Sequence, residues 1–338
     1  MDSQQRLAFW RALCACPGKN YDKEFEDLLL PQIQFPPVLF RYRSITPQQL
    51  AALQNNRIYF STPNHYDDPF DTHLHINASL LNEHVLSFLQ DHFDESDLER
   101  YIRATFQLSS SDYSAFFSSM SFQEKIAKVK DMAINPGLLR ALVQQNTYSV
   151  CFSDSVTNET LWLKYADQHR GFTLAYDLRC FAPPLRSASS SATCSAVLPV
   201  AYTDEKFDAT AFAEQIMKWS LLHRSQSQAD DLAIEKYRLL EKETNSAKNL
   251  WDTYRIALIK KRCHEYDAEW RIFLHGSSIQ LPAYIEVKPT AVILGLRTSP
   301  SDKELVAGIA GLAGIHQIYE IYVNDQDDLD AKPYSVKT

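Results

Sequence analysis

Hydrophobic positions change their period along the chain, and the changes mark out its elements. Residues 38–43 alternate bulky and basic side chains (Val38, Leu39, Phe40, Arg41, Tyr42, Arg43), the period-2 pattern of a half-buried strand. Thr46-Pro47 then caps a short helix running to Leu53, and residues 57–60 form a second strand. Before these, residues 4–13 read as a helix followed by an approach that Pro36-Pro37 keeps extended. From 78 to 146 the period becomes helical, carried by Leu80, Leu81, Val85, Leu86 and Leu89 and later by Ile126, Val129, Met132, Leu138, Leu139 and Leu142. Residues 147–153 and 172–178 return to strand, with a short helix around Leu161–Ala166 between them. The polar stretch 187–195 reads as a loop, and 197–202 as strand again. A second helical block covers about 209–262. Strands follow at 270–274, 284–287, 291–295 and 317–323, with a helix over 301–313, and the acidic segment after Asn324 reads as a frayed tail. No unit of 20–50 residues repeats. Strands separated by long helical insertions predict an α+β fold: a helical extension over 1–37, one domain over 38–323 with insertions at about 78–146 and 209–262, and a tail over 324–338.

Composition narrows the chemistry. With 45% hydrophobic and 22% charged residues in 338, the chain is rich enough in apolar side chains for a large core, and no apolar run approaches the roughly 18 residues of a membrane span. Only 8 glycines occur, and none form GxGxxG or GxxxxGK[ST], so the glycine-rich phosphate cradles are excluded. The net charge of −8 gives no general attraction to nucleic acid or an anionic membrane. One local exception is the basic stretch 255–271, with Arg255, Lys260, Lys261, Arg262 and Arg271, which reads either as a solvated helix face or as a nucleic-acid patch. The six cysteines include no CxxC pair, and the first residues lack a basic and then apolar leader pattern, so reduced thiols in the cytoplasm are expected.

Several motifs, in order, carry a resemblance. LeuPheArgTyrArgSer at 39–44, TyrPheSerThrProAsnHisTyrAspAspProPheAsp at 59–71, ValCysPheSer with LeuTrpLeuLysTyrAla and HisArgGlyPhe within 150–172, AspAlaGluTrpArg at 267–271 and ValIleLeuGly at 292–295 resemble the succession of motifs in the bacterial family called domain of unknown function 2971. That family brings no activity with it. A more distant resemblance is to ADP-ribosyltransferases of the Arg-Ser-Glu type. It rests on Arg41 or Arg43 on the first strand, Ser153-Asp154-Ser155 ending a middle strand and Asp267-Ala268-Glu269 opening a late one. It implies a split two-sheet core and NAD as substrate. The implied catalytic residues are Glu269, Ser153 and Arg43, and Asp267 faces the acceptor. Arg41, Tyr42, Ser155, Trp162 and Tyr165 are placed around NAD, and a toxin or phage-defence setting fits by analogy.

Physical chemistry supports the trio separately. Breaking a nicotinamide–ribose bond builds an oxocarbenium ion, which a carboxylate such as Glu269 stabilises. A guanidinium grips a pyrophosphate in fork geometry, and a serine hydroxyl orients the carboxylate or the carboxamide. The same residues have plain structural readings: Glu269 paired with Arg271 or Arg43, the arginines a strand's solvent face, and Trp162, Tyr165 and His169 a buried helical stripe. A second constellation, His73 and His75 with Asp71, Asp67 or Asp68, fits a two-histidine, one-carboxylate metal site and hence a metal-dependent hydrolase or nuclease; Asp-Asp-Pro-Phe is equally good turn chemistry. Cys151, between Val150 and Phe152, predicts a buried and unreactive strand thiol. A binding or adaptor protein without catalysis is the remaining alternative. The acceptor (protein, nucleic acid or water) and the oligomeric state are not specified by any of these motifs.

Overall fold

A computed structural model describes residues 1–179, 185–186, 192–226, 229–246, 249, 251–276 and 279–335. Residues 187–191 of the polar stretch expected as a loop lie outside them. The fold is mixed α and β, organised on one large mixed sheet. Its principal strands are β1 (Leu39–Arg43), β2 (Tyr148–Ser153), β3 (Phe172–Tyr176), β4 (Glu269–His275), β5 (Ala291–Leu294), β6 (Ile318–Val323) and β7 (Leu329–Pro333). In space they run β7-β6-β5-β3-β1-β2-β4, and Thr193–Cys194, Leu185–Arg186 and Leu198–Pro199 extend the β4 end. Among the described strands of this sheet only β5 and β6 pair in parallel, and the helix Pro300–Leu312 supplies the crossover that a parallel pair requires. β3 is buried at all five positions and β4 at its first six, as expected of central strands covered on both faces.

The seam between β1 and β2 is incomplete. β1 pairs with β3 along its full length, from Leu39 opposite Tyr176 to Arg43 opposite Phe172. Against β2 it makes one in-register pair, Phe40 with Ser153. At the other end of β2, Ser149 is bridged instead by Ser61, from the loop after the short strand Arg57–Tyr59. Two glycines set the other side of β1. A Cβ on Gly171 would stand 2.1 Å from the carbonyl oxygen of Arg43, and one on Gly295 would stand 2.2 Å from that of His169. These backbones touch because no side chain intervenes.

The principal core lies on the sheet and is shared by the first helix, Ser3–Ala15, which contributes Phe9, Trp10 and Leu13. Its Arg6 is buried and donates to the carbonyl oxygens of Glu269 (2.6 Å) and Val200 (3.2 Å) and to Asp154 (2.7 Å). Helical turns over Tyr21–Gln32, which the apolar pattern did not announce, fill in beside it. Within the described residues, the segment after Asn324 is not frayed. β7 pairs residue by residue with β6 and forms the edge of the sheet, because Asn324–Asp328 closes a turn that returns the chain in register.

A second core is built mainly by helices. Ala78–His92, Glu95–Phe106, Phe122–Ala133 and Pro136–Asn146 pack with Thr210–Gln226 and Asp231–Ser246, so two segments far apart in sequence merge into one helical body. Side-chain caps at Asn77, Asp94, Ser121 and Asn135 start four of these helices. Asp97, fully buried, joins the two segments by accepting from Arg100, Lys236 and Tyr237 (2.6 Å). The second helical stretch ends sooner than expected. Asp252–Ala257 is its last helix, after which Ile259–Lys260 pairs in parallel with Ala201–Tyr202 and residues 262–267 form a 3₁₀ turn. That early stop brings Lys260 into the sheet region. Among the described residues no helix is long and apolar enough to cross a membrane.

Candidate functional site

Where β1 and β2 stop pairing, a cleft of about 470 Å³ opens. Arg41 and Arg43 line it from β1, Cys151 and Ser153 from β2, and Asp267 and Glu269 from the entry to β4. Residues 59–68 close one side, and Tyr165, Lys164, Lys260 and His264 complete it. The strand register explains why residues so distant in sequence meet. Phe40 stands opposite Ser153, and Ser153 opposite Glu269; with strands about 4.8 Å apart, β1 and β4 lie about 10 Å from each other across β2.

Asp267 and Glu269 both reach the cleft because of the residue between them. Ala268 adopts a left-handed conformation (φ 43°, ψ 47°), uncommon for a residue other than glycine, and turns the chain from the 3₁₀ segment into β4. Asp154 N–H donates to the Ala268 carbonyl (3.2 Å) and Glu269 N–H to the Tyr202 hydroxyl (2.7 Å), which fixes the turn.

Glu269 is buried and held at both oxygens. Arg271 Nε donates to Oε1 and Lys260 Nζ to Oε2, each at 2.7 Å. Arg271, entirely buried, also donates in a fork to Asp71, with Nη1 2.8 Å from Oδ1. Lys260 reaches Asp71 Oδ2 at 3.4 Å and Asp267 Oδ2 at 3.2 Å. Burial opposes ionisation of Glu269, but Arg271 and Lys260 outweigh it and hold the carboxyl well below the usual carboxylate range. Lys260 and Arg271 are likewise charged against the cost of burial, Lys260 chiefly by Glu269 and Asp71, Arg271 by Asp71 and Glu269. Asp267 moves the other way. Burial raises its carboxyl above the ordinary range, Lys260 draws it back, and Glu269 adds to the rise. Its Oδ1 is buried and has no hydrogen-bond partner among the described residues.

The arginines of β1 differ in role. Arg43 Nη1 folds back onto the carbonyl of Tyr42 (2.8 Å). Arg41 Nη2 donates to Tyr59 O (3.2 Å), while its buried Nε has no partner among the described residues. Ser153 is buried, and its hydroxyl accepts from the N–H of Ser155 (3.3 Å). Tyr165 lines the cleft and is partly exposed. Burial pushes the Cys151 thiol up to about 12, with Glu269 contributing, so it stays protonated at neutral pH.

Other expected site residues stand elsewhere. Trp162 is fully buried in a small core beneath the sheet, edge-on to Tyr42 and stacked with His169, and its indole N–H donates to Val156 O, so it cannot stack on a ligand. Ser155 lies outside the cleft lining; Tyr42 is part of that lining, with its hydroxyl donating to the Ser155 carbonyl (2.7 Å). The His73, His75 and Asp71 set is not assembled. Asp71 is committed to Arg271, and among the described residues no three histidine, cysteine, aspartate or glutamate side chains converge to hold a metal. The basic stretch 255–271 does not share one face, because Arg255 is buried against Asp252, Leu13 O and Cys16 O and Lys260 and Arg271 face inward, while Lys261 and Arg262 are exposed.

Sequence reasoning missed Lys260, Asp71 as an anchor of Arg271, and the cleft wall built by Tyr59 and Tyr66. The charge run concealed Lys260, although the apolar AlaLeuIle before it was a signal that this lysine faces inward. No protein-family model, curated protein or solved structure matches this chain.

Proposed function

We propose that the cleft binds NAD and breaks its nicotinamide–ribose bond, as an ADP-ribosyltransferase or an NAD glycohydrolase. The observation that carries this reading is the division of charge. A partly unpaired guanidinium, Arg41, stands on β1, and a carboxylate that Arg271 and Lys260 hold in its ionised form, Glu269, stands about 10 Å away at the head of β4. NAD is divided in the same way, with an anionic pyrophosphate at one end of a ribose and a cationic pyridinium at the other. Among the described residues the Nε of Arg41 is a buried donor without a partner, which a phosphate oxygen would satisfy.

In this scheme Arg41, more than Arg43, grips the pyrophosphate, since Arg43 is occupied by its own strand. Tyr165 offers a ring beside the nicotinamide, and Ser153 braces the ribose end. Glu269 stabilises the positive charge that develops on the ribose as the bond lengthens. Because Arg271 and Lys260 fix both of its oxygens, the carboxylate needs no reorganisation when that charge appears. The reading agrees with the resemblance to the Arg-Ser-Glu transferases and would make the broken seam between β1 and β2 the counterpart of their split core. Membership in the domain of unknown function 2971 family, action in the bacterial cytoplasm and a defence role belong to the same proposal.

The test is nicotinamide release from NAD by the purified protein, with NAD titrated calorimetrically into Arg41→Lys and Arg43→Lys. Release, together with weaker binding in Arg41→Lys than in Arg43→Lys, supports the reading. No nicotinamide release and no heat of binding would end it.

A further inference from the structure

The ion network around Glu269 contains three carboxylates and two cations, and the unequal sharing of those cations has a chemical consequence. Asp71 holds the fork of Arg271, and Glu269 holds Arg271 and Lys260 at 2.7 Å each. Asp267 has only the far side of Lys260, at 3.2 Å on Oδ2. Within this set of direct contacts one carboxylate is in surplus, and burying like charges so close together favours a proton on one of them. The surplus proton goes to the group with the weakest cation contact and a vacant oxygen. That atom is Oδ1 of Asp267, whose residue is 6% exposed, lines the cleft and makes no hydrogen bond there among the described residues. The other groups about Asp267 are His264 on its own turn and Lys164 and Tyr165 on the facing helix, where Asp67 acts on the same lysine and tyrosine, and among the described residues none of them hydrogen-bonds to Oδ1.

From this geometry we infer that Asp267 is a proton donor aimed into the cleft, so that the site also cleaves N-ribosides whose base leaves only when protonated, purine nucleosides and nucleotides above all. The inference rests on the reading of the cleft as an N-glycosidic site and extends its substrate class. Nicotinamide leaves NAD as a neutral molecule without gaining a proton, so a site built for NAD alone has no use for an acid beside the ionised carboxylate. A purine differs, because the electron pair of the breaking C1′–N9 bond stays with the base and must be neutralised.

In the balanced step the Asp267 proton passes to a ring nitrogen of the purine as C1′–N9 breaks, and Glu269 stabilises the cationic ribose. Water then adds its oxygen to C1′, and the proton it sheds restores Asp267. The products are the free base and the ribose or ribose phosphate. No oxidant or metal enters this balance. The two carboxylates divide the work of acid and charge stabiliser, as paired carboxylates do in glycoside hydrolysis.

The experiment follows free base from adenosine, AMP and NAD with the wild-type protein and with Asp267→Asn. The wild type is expected to release adenine as well as nicotinamide. In Asp267→Asn, adenine release is expected to fall by about a hundredfold more than nicotinamide release, the usual worth of a general acid. Nicotinamide release without any adenine release from the wild type would overturn this inference and leave the NAD reading standing, whether or not the variant folds. Equal losses in the variant would also overturn it, since Asp267 would then serve both leaving groups alike. No release from any of the three would overturn both readings.

Discussion

At Glu269 two demands fall on one side chain, and they can be separated by what is measured. Glu269→Gln keeps the volume but removes the charge, so nicotinamide release should drop by about a hundredfold or more. The same change leaves Arg271 and Lys260 short of an anion in a buried site, so the melting temperature should fall as well, by an amount corresponding to as much as about 3–5 kcal/mol. Arg271→Met, which leaves Asp71 and Glu269 to share Lys260 alone, should match that stability loss. The pH dependence has a definite sign. Because the folded protein holds the Glu269 carboxyl below its ordinary value of 4.5, its stabilisation is complete above that pH and is lost as pH falls beneath it. Melting curves of wild type and Glu269→Gln should therefore converge on acidification below about 4.5. Asp267 is opposite, since its raised carboxyl costs stability as pH rises and the folded protein must give up the proton. Asp267→Asn should gain in melting temperature relative to wild type as pH rises above the ordinary carboxyl value of 3.8, measured by thermal melts across the range.

Among the elements, β1 depends on contacts that have no side chain. Gly171→Ala would place a methyl group 2.1 Å from the carbonyl of Arg43, and backbone cannot swing aside as a side chain can. A loss of about 1–3 kcal/mol is expected, with weakened NAD binding because the end of β1 carries the arginines. Calorimetry of unfolding and of NAD titration reads both. Strands and helical blocks were legible in the sequence because their apolar periods are strong: the alternation at 38–43 and the helical spacing over 78–146 need no tertiary information. What escaped was set by contacts between distant segments. Lys260 looked like part of a basic helix because its neighbours are basic, yet pairing of Ile259–Lys260 with Ala201–Tyr202 ends the helix and buries the ammonium among three carboxylates. Leu329–Pro333 looked frayed because its own composition is acidic and polar, and only the presence of β6 makes it a strand. Trp162 and Tyr165 share a helix and a periodicity, and which of them meets the cleft depends on the sheet beneath.

For the molecule as a whole, the arrangement is a sheet whose broken seam holds the site, with a helical body built from two separate segments and a first helix that locks the base of β4. Two perturbations should therefore differ in reach. Asp97→Asn weakens the joint between the helical segments and should lower the melting temperature while leaving NAD binding within about twofold, as expected for distant sites that do not couple. Arg6→Ala removes donors to the Glu269 and Val200 carbonyls and to Asp154, and should cost both stability and nicotinamide release. Melting and nicotinamide assays on the same two variants distinguish a structural joint from one that supports the site.

The Arg6 contact also sets a timetable for the chain during synthesis. Arg6 and the Glu269 carbonyl are separated by 263 residues, so at about 5–20 residues per second the helix carrying Phe9, Trp10 and Leu13 waits roughly 13–50 s for the strand it packs against. For that interval an apolar helix is on the ribosome without its partner, while the first helical segment can already begin to collapse on itself. Pairings of such wide sequence separation close slowly after release as well. This protein should consequently be sensitive to chaperone supply and growth temperature when it is overproduced, and the portion lost to aggregates should shrink when translation is slowed by cooling.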